Sequence, residues 1–264
     1  MNDLGTDIPK SFSKPQARGD KEGKPEAYTS YDEGLSDEGN KVNEVFKEIL
    51  LIDKPKGITS FDVIRRLRKE LNIRKMGHGG TLDPLATGLM IIGIESGTKK
   101  LAEYLKLDKE YIAEVRIGEK RSTGDLEGEI VEEKNVTEID EHQLRNELQI
   151  MLGTLALPVS AYSAIKKDGV PLYKRARKAE KTGEAITDLP IRTMQVLDIE
   201  LQKVEYTENR CILTIRFLVS SGTYIRSLAE ELGKRLGYPA TLQNLRRTKI
   251  GEFKIEDARE LKEI

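Results

Sequence analysis

A glycine-rich segment at residues 77–88 is the part of the sequence best suited to chemistry. Its glycines permit the close approach of a ligand and unusual backbone dihedral angles. Asp83 lies within it and precedes Pro84, which biases Asp83 away from helical backbone. A carboxylate held on such a loop can act as a nucleophile or a base. The alternative is a tight turn in which Asp83 caps a neighbour, whereas a phosphate-binding P-loop is disfavoured because no Gly-Lys-Ser/Thr follows.

Two further segments carry side chains that can complement a carboxylate. Residues 221–226 place Tyr224 and Arg226 in the first turn of a predicted helix. An arginine there can pair with a carboxylate and lower its pKa; the alternative is a surface arginine. Residues 245–249, Leu-Arg-Arg-Thr-Lys, form a basic cluster suited to phosphates. The alternative for this cluster is a solvated surface.

Aromatic and imidazole side chains are scarce enough to be considered singly. Tyr111 begins a predicted strand, where a tyrosine can stack on a nucleobase or provide half-buried packing. His78 is one of two histidines, and no second ligand stands at metal-binding spacing. We therefore expect no metal site.

Hydrophobic periodicity predicts the elements that position these residues. A capping box at residues 59–62 begins a helix, and period-two alternation over residues 111–117 predicts a strand. Long strands with few regular crossover helices favour an α+β fold, one mixed, mostly antiparallel sheet with packed helices. The other predicted elements are strands at 89–94, 191–204 and 211–219 and helices at 99–107, 139–152 and 223–236, the last ended by Gly237.

Charge divides the chain into two parts. Residues 1–44 carry six basic and ten acidic side chains, a net charge of −4, which leaves +3 for residues 45–264. The acidic part has no hydrophobic periodicity, so we predict a disordered polar tail at 1–45 and a folded domain at 46–264. Within the domain, residues 163–183 carry seven basic and two acidic side chains, which predicts an exposed basic insertion.

The cysteine content and the lack of long apolar runs indicate the cellular compartment of the protein. The single cysteine, Cys211, cannot form an internal disulfide, and no apolar run approaches the length of a membrane span. The N-terminus lacks the apolar core of a signal peptide. We therefore expect a cytoplasmic protein without a membrane-spanning segment.

Several dispersed segments, taken in order, resemble the motifs of one family, the bacterial tRNA pseudouridine-55 synthases of the TruB type. The resemblance covers about residues 47 to 258, and the wording Asp-Pro-Leu-Ala-Thr-Gly is similar to the bacterial members. It implies the pseudouridine synthase fold and isomerisation of the T-loop uridine of tRNA by base flipping, without a cofactor. The segments are residues 49–57, 77–88, 109–111, 162–166, 221–226 and 245–247.

The resemblance also implies roles for individual residues. Asp83 matches the catalytic aspartate, and Arg226 matches the arginine that salt-bridges it. Tyr111 matches the tyrosine that stacks on the flipped uridine, and His78 matches a histidine of the base-flipping region. Tyr224 and Leu245 match residues that line the base pocket, and residues 163–183 resemble a thumb that closes over the T-loop. Contacts to the RNA backbone are expected from Lys166, Lys174, Arg175, Arg246 and Arg247.

Two departures and two alternatives accompany the resemblance. The C-terminal RNA-binding domain of the family is expected to be absent or vestigial, and residues 156–160 differ from the usual wording of the family. The alternatives are a non-catalytic tRNA-binding module or folding helper and a hydrolase that releases free uracil from nucleosides. We expect the T-arm of tRNA as the partner, no required protein partner, and a monomer.

Overall fold

The centre of the molecule is a ten-stranded sheet. The computed structural model describes residues 48–163, 165–182 and 188–261. The strands are β1 Ile49–Lys54, β2 Met76–His78, β3 Thr87–Ile94, β4 Lys109–Ile117, β5 Glu119–Arg121, β6 Ile130–Glu133, β7 Gly153–Pro158, β8 Lys166–Lys167, β9 Val170–Pro171, β10 Ile191–Tyr206, β11 Cys211–Val219, β12 Ala240–Ile250, β13 Phe253–Lys254 and β14 Arg259–Glu260. The helices are α1 Ser60–Leu71, α2 Leu101–Lys106, α3 Glu141–Ile150, α4 Leu172–Thr182 and α5 Ile225–Leu236, with 3₁₀ turns at Glu95–Lys100 and Ile255–Asp257.

The sheet is mixed and mostly antiparallel. Its order is β14-β1-β3-β12-β4-β11-β10-β7, with β2 paired to β3 and β13 paired to β12. The β1–β14 and β3–β12 pairs are parallel, and the other pairs are antiparallel. The predicted α+β class is therefore confirmed. The long strand β12, which follows α5 in sequence, lies in the interior of the sheet between β3 and β4.

One face of the sheet packs against α5. Along β4 the burial alternates from Tyr111 onward, with Ala113 and Val115 fully buried. Leu228 and Leu232 of α5 belong to the same core cluster. Each fully buried valine or leucine side chain among them stabilises the fold by about 1.5–3 kcal/mol. The period-two strand and the period-3.6 helix predicted from the sequence meet at this interface.

A capping box fixes the start of α1, as the sequence predicts. The Thr59 hydroxyl accepts a hydrogen bond from the Asp62 N–H at 3.1 Å, and the Asp62 carboxylate accepts one from the Thr59 N–H at 2.8 Å. Replacing Thr59 with alanine is expected to lower the free energy of unfolding by about 1 kcal/mol, since one helical N–H loses its acceptor. Urea denaturation measures the loss. Thr59→Ser keeps the hydroxyl and is the control; an equal loss in both variants would contradict the explanation.

The basic insertion is less exposed than the sequence analysis predicts. It forms the β8–β9 hairpin and α4, and Leu172 and Ala176 of α4 are buried. Lys174, Arg177 and Lys178 are exposed. We call residues 165–182 the thumb segment: one side of its helix packs inward, and the other carries basic side chains to solvent.

Two further expectations concern the N-terminal tail and membrane-spanning segments. The predicted tail at 1–45 lies outside the described residues. In the part of the chain that the structure covers, no helix is both long and apolar enough to cross a membrane.

Candidate active site

Asp83 lies on the loop between β2 and β3, with its side chain 37% exposed. Ser60 at the start of α1 holds the preceding residue: its hydroxyl donates to the Leu82 carbonyl at 2.9 Å and accepts from the Leu82 N–H at 2.8 Å. The Lys54 ammonium donates to the Pro84 carbonyl at 3.3 Å on the other side. The backbone flanking Asp83 is therefore fixed by α1 and β1, while the carboxylate remains open to a ligand.

Arg247 of β12 holds the more distant parts of the same loop. Its Nε donates to the Leu89 carbonyl at 2.7 Å, and its two Nη atoms donate to the carbonyls of Gly80 at 3.2 Å and Thr81 at 3.5 Å. The residue is 1% exposed. The expected contact of Arg247 with an RNA phosphate is therefore wrong, because β12 is an interior strand and this side chain points into the fold.

Arg226 lies beside the carboxylate of Asp83. Its Nη2 is 3.0 Å from Asp83 Oδ2, and its Nη1 is 3.6 Å from Asp125 Oδ2. Arg226 is 6% exposed, so the alternative of a surface arginine does not hold. A buried guanidinium thus bridges an accessible carboxylate and a buried one.

Neutral acceptors fix the guanidinium of Arg226 further. Its Nη1 donates to the Thr123 carbonyl and to the Ser160 hydroxyl, both at 2.9 Å. Its Nη2 donates to the Tyr162 carbonyl at 3.0 Å. Because the planar guanidinium has its donors in fixed directions, these acceptors set the direction in which Nη2 faces Asp83.

Asp125 is a site residue that the sequence analysis did not find. It is 3% exposed, and its Oδ1 accepts from the Thr123 hydroxyl at 2.6 Å and from the Glu127 N–H at 3.1 Å. These bonds close a turn in which Gly124 faces Arg226. An aspartate in a Thr-Gly-Asp turn is an ordinary turn signal, so its sequence gave no indication of a partner in α5.

Burial and charge oppose one another at Asp83. Partial burial raises the pKa of Asp83, Arg226 lowers it, and Asp125 raises it. The effect of Arg226 has the direction that the sequence analysis predicts, but burial outweighs it, so the net pKa lies above the ordinary value. On a cation burial has the opposite effect, and it lowers the pKa of Lys54 to about 8.

The residues expected around a base lie near the loop. Tyr111 and Leu245 are each 8% exposed and share one apolar cluster with Leu82, and the half-buried Tyr224, the N-cap of α5, packs against the same cluster. His78 lies on β2, where burial and the nearby Arg247 lower its pKa. Tyr111 is the strand partner of Arg247, and the Leu245 carbonyl accepts from the Thr87 hydroxyl at 3.5 Å, so both residues lie next to the loop that carries Asp83.

The remaining basic residues differ in how available they are. Lys166 and Lys174 are exposed. Arg175 donates to the Asp168 carboxylate at 2.8 Å and so ties α4 to the β8–β9 hairpin. Arg246 pairs in a bidentate manner with Asp53, at 2.6 Å and 3.1 Å. The two arginines also have carboxylate partners, but the Arg246 side chain remains 44% exposed, so its contact with the RNA backbone stays a prediction beside those of the two lysines.

The arrangement suits attack at, or charge stabilisation beside, an electron-poor carbon. A partly exposed carboxylate lies against a fixed cation, and apolar and aromatic side chains pack near its loop. Within residues 48–163, 165–182 and 188–261, no group of three or more His, Cys, Asp or Glu side chains is placed to hold a metal ion.

Two solved complexes contain a chain with a similar fold. The chain aligns with the Cbf5–Nop10–Gar1 complex at a TM-score of 0.58 and 28% identity, over 81% of this chain and 52% of that one. It aligns with an H/ACA RNP bound to a substrate RNA containing 2′-deoxyuridine at a TM-score of 0.57 and 28% identity, over 81% and 50% of the two chains. The chain spans about half the length of these two solved chains.

Sequence comparison gives the family. The profile of the TruB family pseudouridylate synthases (N terminal domain) matches residues 68–225. The tRNA pseudouridine synthase B of Corynebacterium efficiens is 41% identical over 212 residues, 80% of this chain and 69% of that protein. Its counterpart in Fusobacterium nucleatum is 40% identical over 208 residues, 79% and 69% of the two chains. The resemblance found in the motifs is confirmed, and the chain belongs to the TruB family of pseudouridylate synthases.

Proposed function

We propose that this chain isomerises the T-loop uridine of tRNA, position 55, to pseudouridine, with Asp83 as its catalytic carboxylate. The observation that carries the proposal is the 3.0 Å pair between Arg226 and Asp83 on a loop fixed from both sides. The curated relatives bear the name tRNA pseudouridine synthase B, and they match about four fifths of the chain.

The reaction needs a carboxylate beside the C1′ atom of the target nucleotide. The C1′–N1 bond breaks, the uracil rotates and a C1′–C5 bond forms; the proton at C5 leaves to solvent, and N1 takes up a proton. Asp83 acts at C1′, as a nucleophile or by stabilising positive charge on the ribose, and both routes require its ionised form. Substrate and product are isomers, so neither an oxidant nor a group donor is consumed and no cofactor is required.

The apolar and aromatic residues near the Asp83 loop receive the flipped base. Extruding a base from its stack costs a few kcal/mol. Stacking on an aromatic ring returns about 1–3 kcal/mol, and we assign this contact to Tyr111. Tyr224 and Leu245 line the pocket, and His78 lies at its approach. Lys166 and Lys174, with the exposed Arg177 and Lys178 of α4, offer charges to the phosphates of the T-arm.

The functional unit that we propose is the catalytic domain at residues 46–264, with the thumb segment inside it. It acts in the cytoplasm as a monomer and needs no protein partner to bind the T-arm. Light scattering of the purified chain with and without tRNA tests the stoichiometry: one chain per tRNA is expected, and a dimer would contradict it. An isolated chain that releases no tritium in the assay below would contradict independence from a protein partner.

The isomerisation is tested with unmodified tRNA that carries tritium at uridine C5. Wild-type protein without added cofactor is expected to release tritium to water, and a tRNA with cytidine at position 55 is expected to lose this release. Free uracil among the products would indicate the nucleoside hydrolase instead. Tight tRNA binding without release would indicate the binding module.

The pKa shifts predict a bell-shaped pH dependence of the single-turnover rate. Because the pKa of Asp83 is raised, activity falls on acidification at a higher pH than an ordinary aspartate would give. Because the pKa of Lys54 is about 8, its ammonium loses its charge above that pH and activity falls again. Lys54→Arg keeps a charge and is expected to lose the alkaline decline if it folds. An unchanged alkaline limb in that variant would remove Lys54 from the explanation, and tRNA binding measured at each pH is the control.

A further inference from the structure

We propose that Arg247 is a positioning residue for catalysis, which sets the conformation of the Asp83 loop from the sheet side without touching the substrate. The inference rests on the proposed function for its effect on rate. Its structural part, the ordering of residues 79–88, stands on the contacts alone.

The guanidinium of Arg247 joins parts of the chain that lie on either side of Asp83. It donates to the Gly80 and Thr81 carbonyls before the aspartate and to the Leu89 carbonyl after it, at 3.2, 3.5 and 2.7 Å. One rigid, planar group therefore fixes both ends of the loop relative to each other. Ser60 and Lys54 hold the middle of the loop from the opposite side, at Leu82 and Pro84.

The backbone of Arg247 is packed as closely as its side chain. Gly88 lies opposite it in the parallel β3–β12 pair, and a Cβ on Gly88 would lie 2.3 Å from the Arg247 carbonyl oxygen. On the other neighbouring strand, Tyr111 is the direct partner of Arg247. The same residue thus connects the loop that carries the carboxylate to the strand that carries the stacking tyrosine.

The charge of Arg247 is difficult to explain by stability alone. The residue is 1% exposed, and none of the ion pairs found among the described residues includes it. Backbone carbonyls are its acceptors, and a buried cation without a carboxylate is costly to desolvate. Apolar side chains of similar volume fill such positions without that cost. A group with several fixed donors, in contrast, can hold several carbonyls in one geometry.

Three variants of Arg247 and a control test the inference, and the third variant, Arg247→Ala, removes the side chain beyond Cβ. Arg247→Gln removes the charge and most of the donors. Arg247→Lys keeps the charge but lacks the planar guanidinium with its several fixed donors. Arg235→Gln is the matched control: Arg235 is partly buried, pairs with Glu231 at 2.7 Å and Glu147 at 3.5 Å, and lies at the end of α5. Each variant is assayed for multiple-turnover tritium release, which gives kcat and KM, for thermal unfolding, and for amide hydrogen exchange.

We expect Arg247→Gln to lower kcat by about 10²-fold, with KM nearly unchanged, because misplacement of a catalytic group by about 1 Å has that effect. The kcat of Arg247→Lys is expected to lie between those of the wild type and Arg247→Gln. Hydrogen exchange should accelerate in peptides from residues 79–88 and not in peptides from α5. Millimolar guanidinium should restore part of the rate in Arg247→Ala but not alter Arg235→Gln.

The outcomes separate the inference from the function on which it rests. Unchanged exchange in residues 79–88, or a rate loss that only follows the unfolded fraction and equals that of Arg235→Gln, would overturn the positioning role. If wild-type protein releases no tritium while the exchange of the loop still increases selectively in Arg247→Gln, the ordering of the loop stands and the proposed function fails.

Discussion

Replacement of Asp83 by asparagine is expected to reduce the single-turnover rate of tritium release by at least about 10³-fold, since removal of a nucleophile or essential base has effects of this size or larger. Asparagine has nearly the same shape but carries no charge and cannot add to C1′. The side chain is 37% exposed and is not part of the core, so tRNA affinity and thermal stability should change little. Filter binding and thermal unfolding measure these two quantities beside the rate.

The matched control for this variant is Asp257→Asn. Asp257 is an exposed carboxylate in the C-terminal 3₁₀ turn, and its replacement should leave the rate within about twofold of wild type, as is usual for surface substitutions. Full activity of Asp83→Asn would remove the aspartate from the mechanism, and an unaltered biological role would favour the binding module over the enzyme.

The second large effect is expected at Arg226. Arg226→Gln should lower the rate by about 10²- to 10³-fold, the usual range for losing a preorganised electrostatic contact. It should also destabilise the fold by about 3–5 kcal/mol, because Asp125 would remain as a buried carboxylate without its cation. Since Arg226 lowers the pKa of Asp83, its removal moves the acid limb of the pH profile to higher pH.

A double variant separates the two consequences of losing Arg226. Arg226→Gln combined with Asp125→Asn removes the unpaired buried charge of Asp125. The free energy of unfolding measured in urea should therefore recover in large part. The rate should not recover, because Asp83 still lacks its cation. Recovery of activity together with stability would show that Arg226 acts through folding alone.

The sequence predicts those parts of the molecule whose signal is local. The residues of the loop around Asp83 are contiguous in sequence, and the glycines and the proline among them indicate an unusual backbone conformation. Strand β11 agrees with the predicted residues 211–219, because its alternation is unbroken from Cys211 to Val219. The capping box of α1 is likewise contained within four residues.

The parts that were not predicted depend on contacts between distant segments. The Thr123 carbonyl, which belongs to the turn of Asp125, is 103 residues from its donor Arg226. The run 245–249 resembles a solvated surface in composition, but it belongs to an interior strand. Arg247 can be buried there only because Gly80, Thr81 and Leu89 offer carbonyls from another part of the chain. Neither periodicity nor charge count contains that information.

The interior place of β12 also has a consequence for biosynthesis. Strands β1 and β3 are synthesised early, and β4, β11 and β10 form the other half of the sheet, but residues 240–250 join the two halves. A nascent chain therefore cannot close its sheet until that strand has left the ribosome, and the edges of β3 and β4 remain unpaired until then. Such exposed edges favour aggregation. The sheet should therefore close only after β12 has been synthesised, and the nascent chain should depend until then on chaperones that bind unpaired strands.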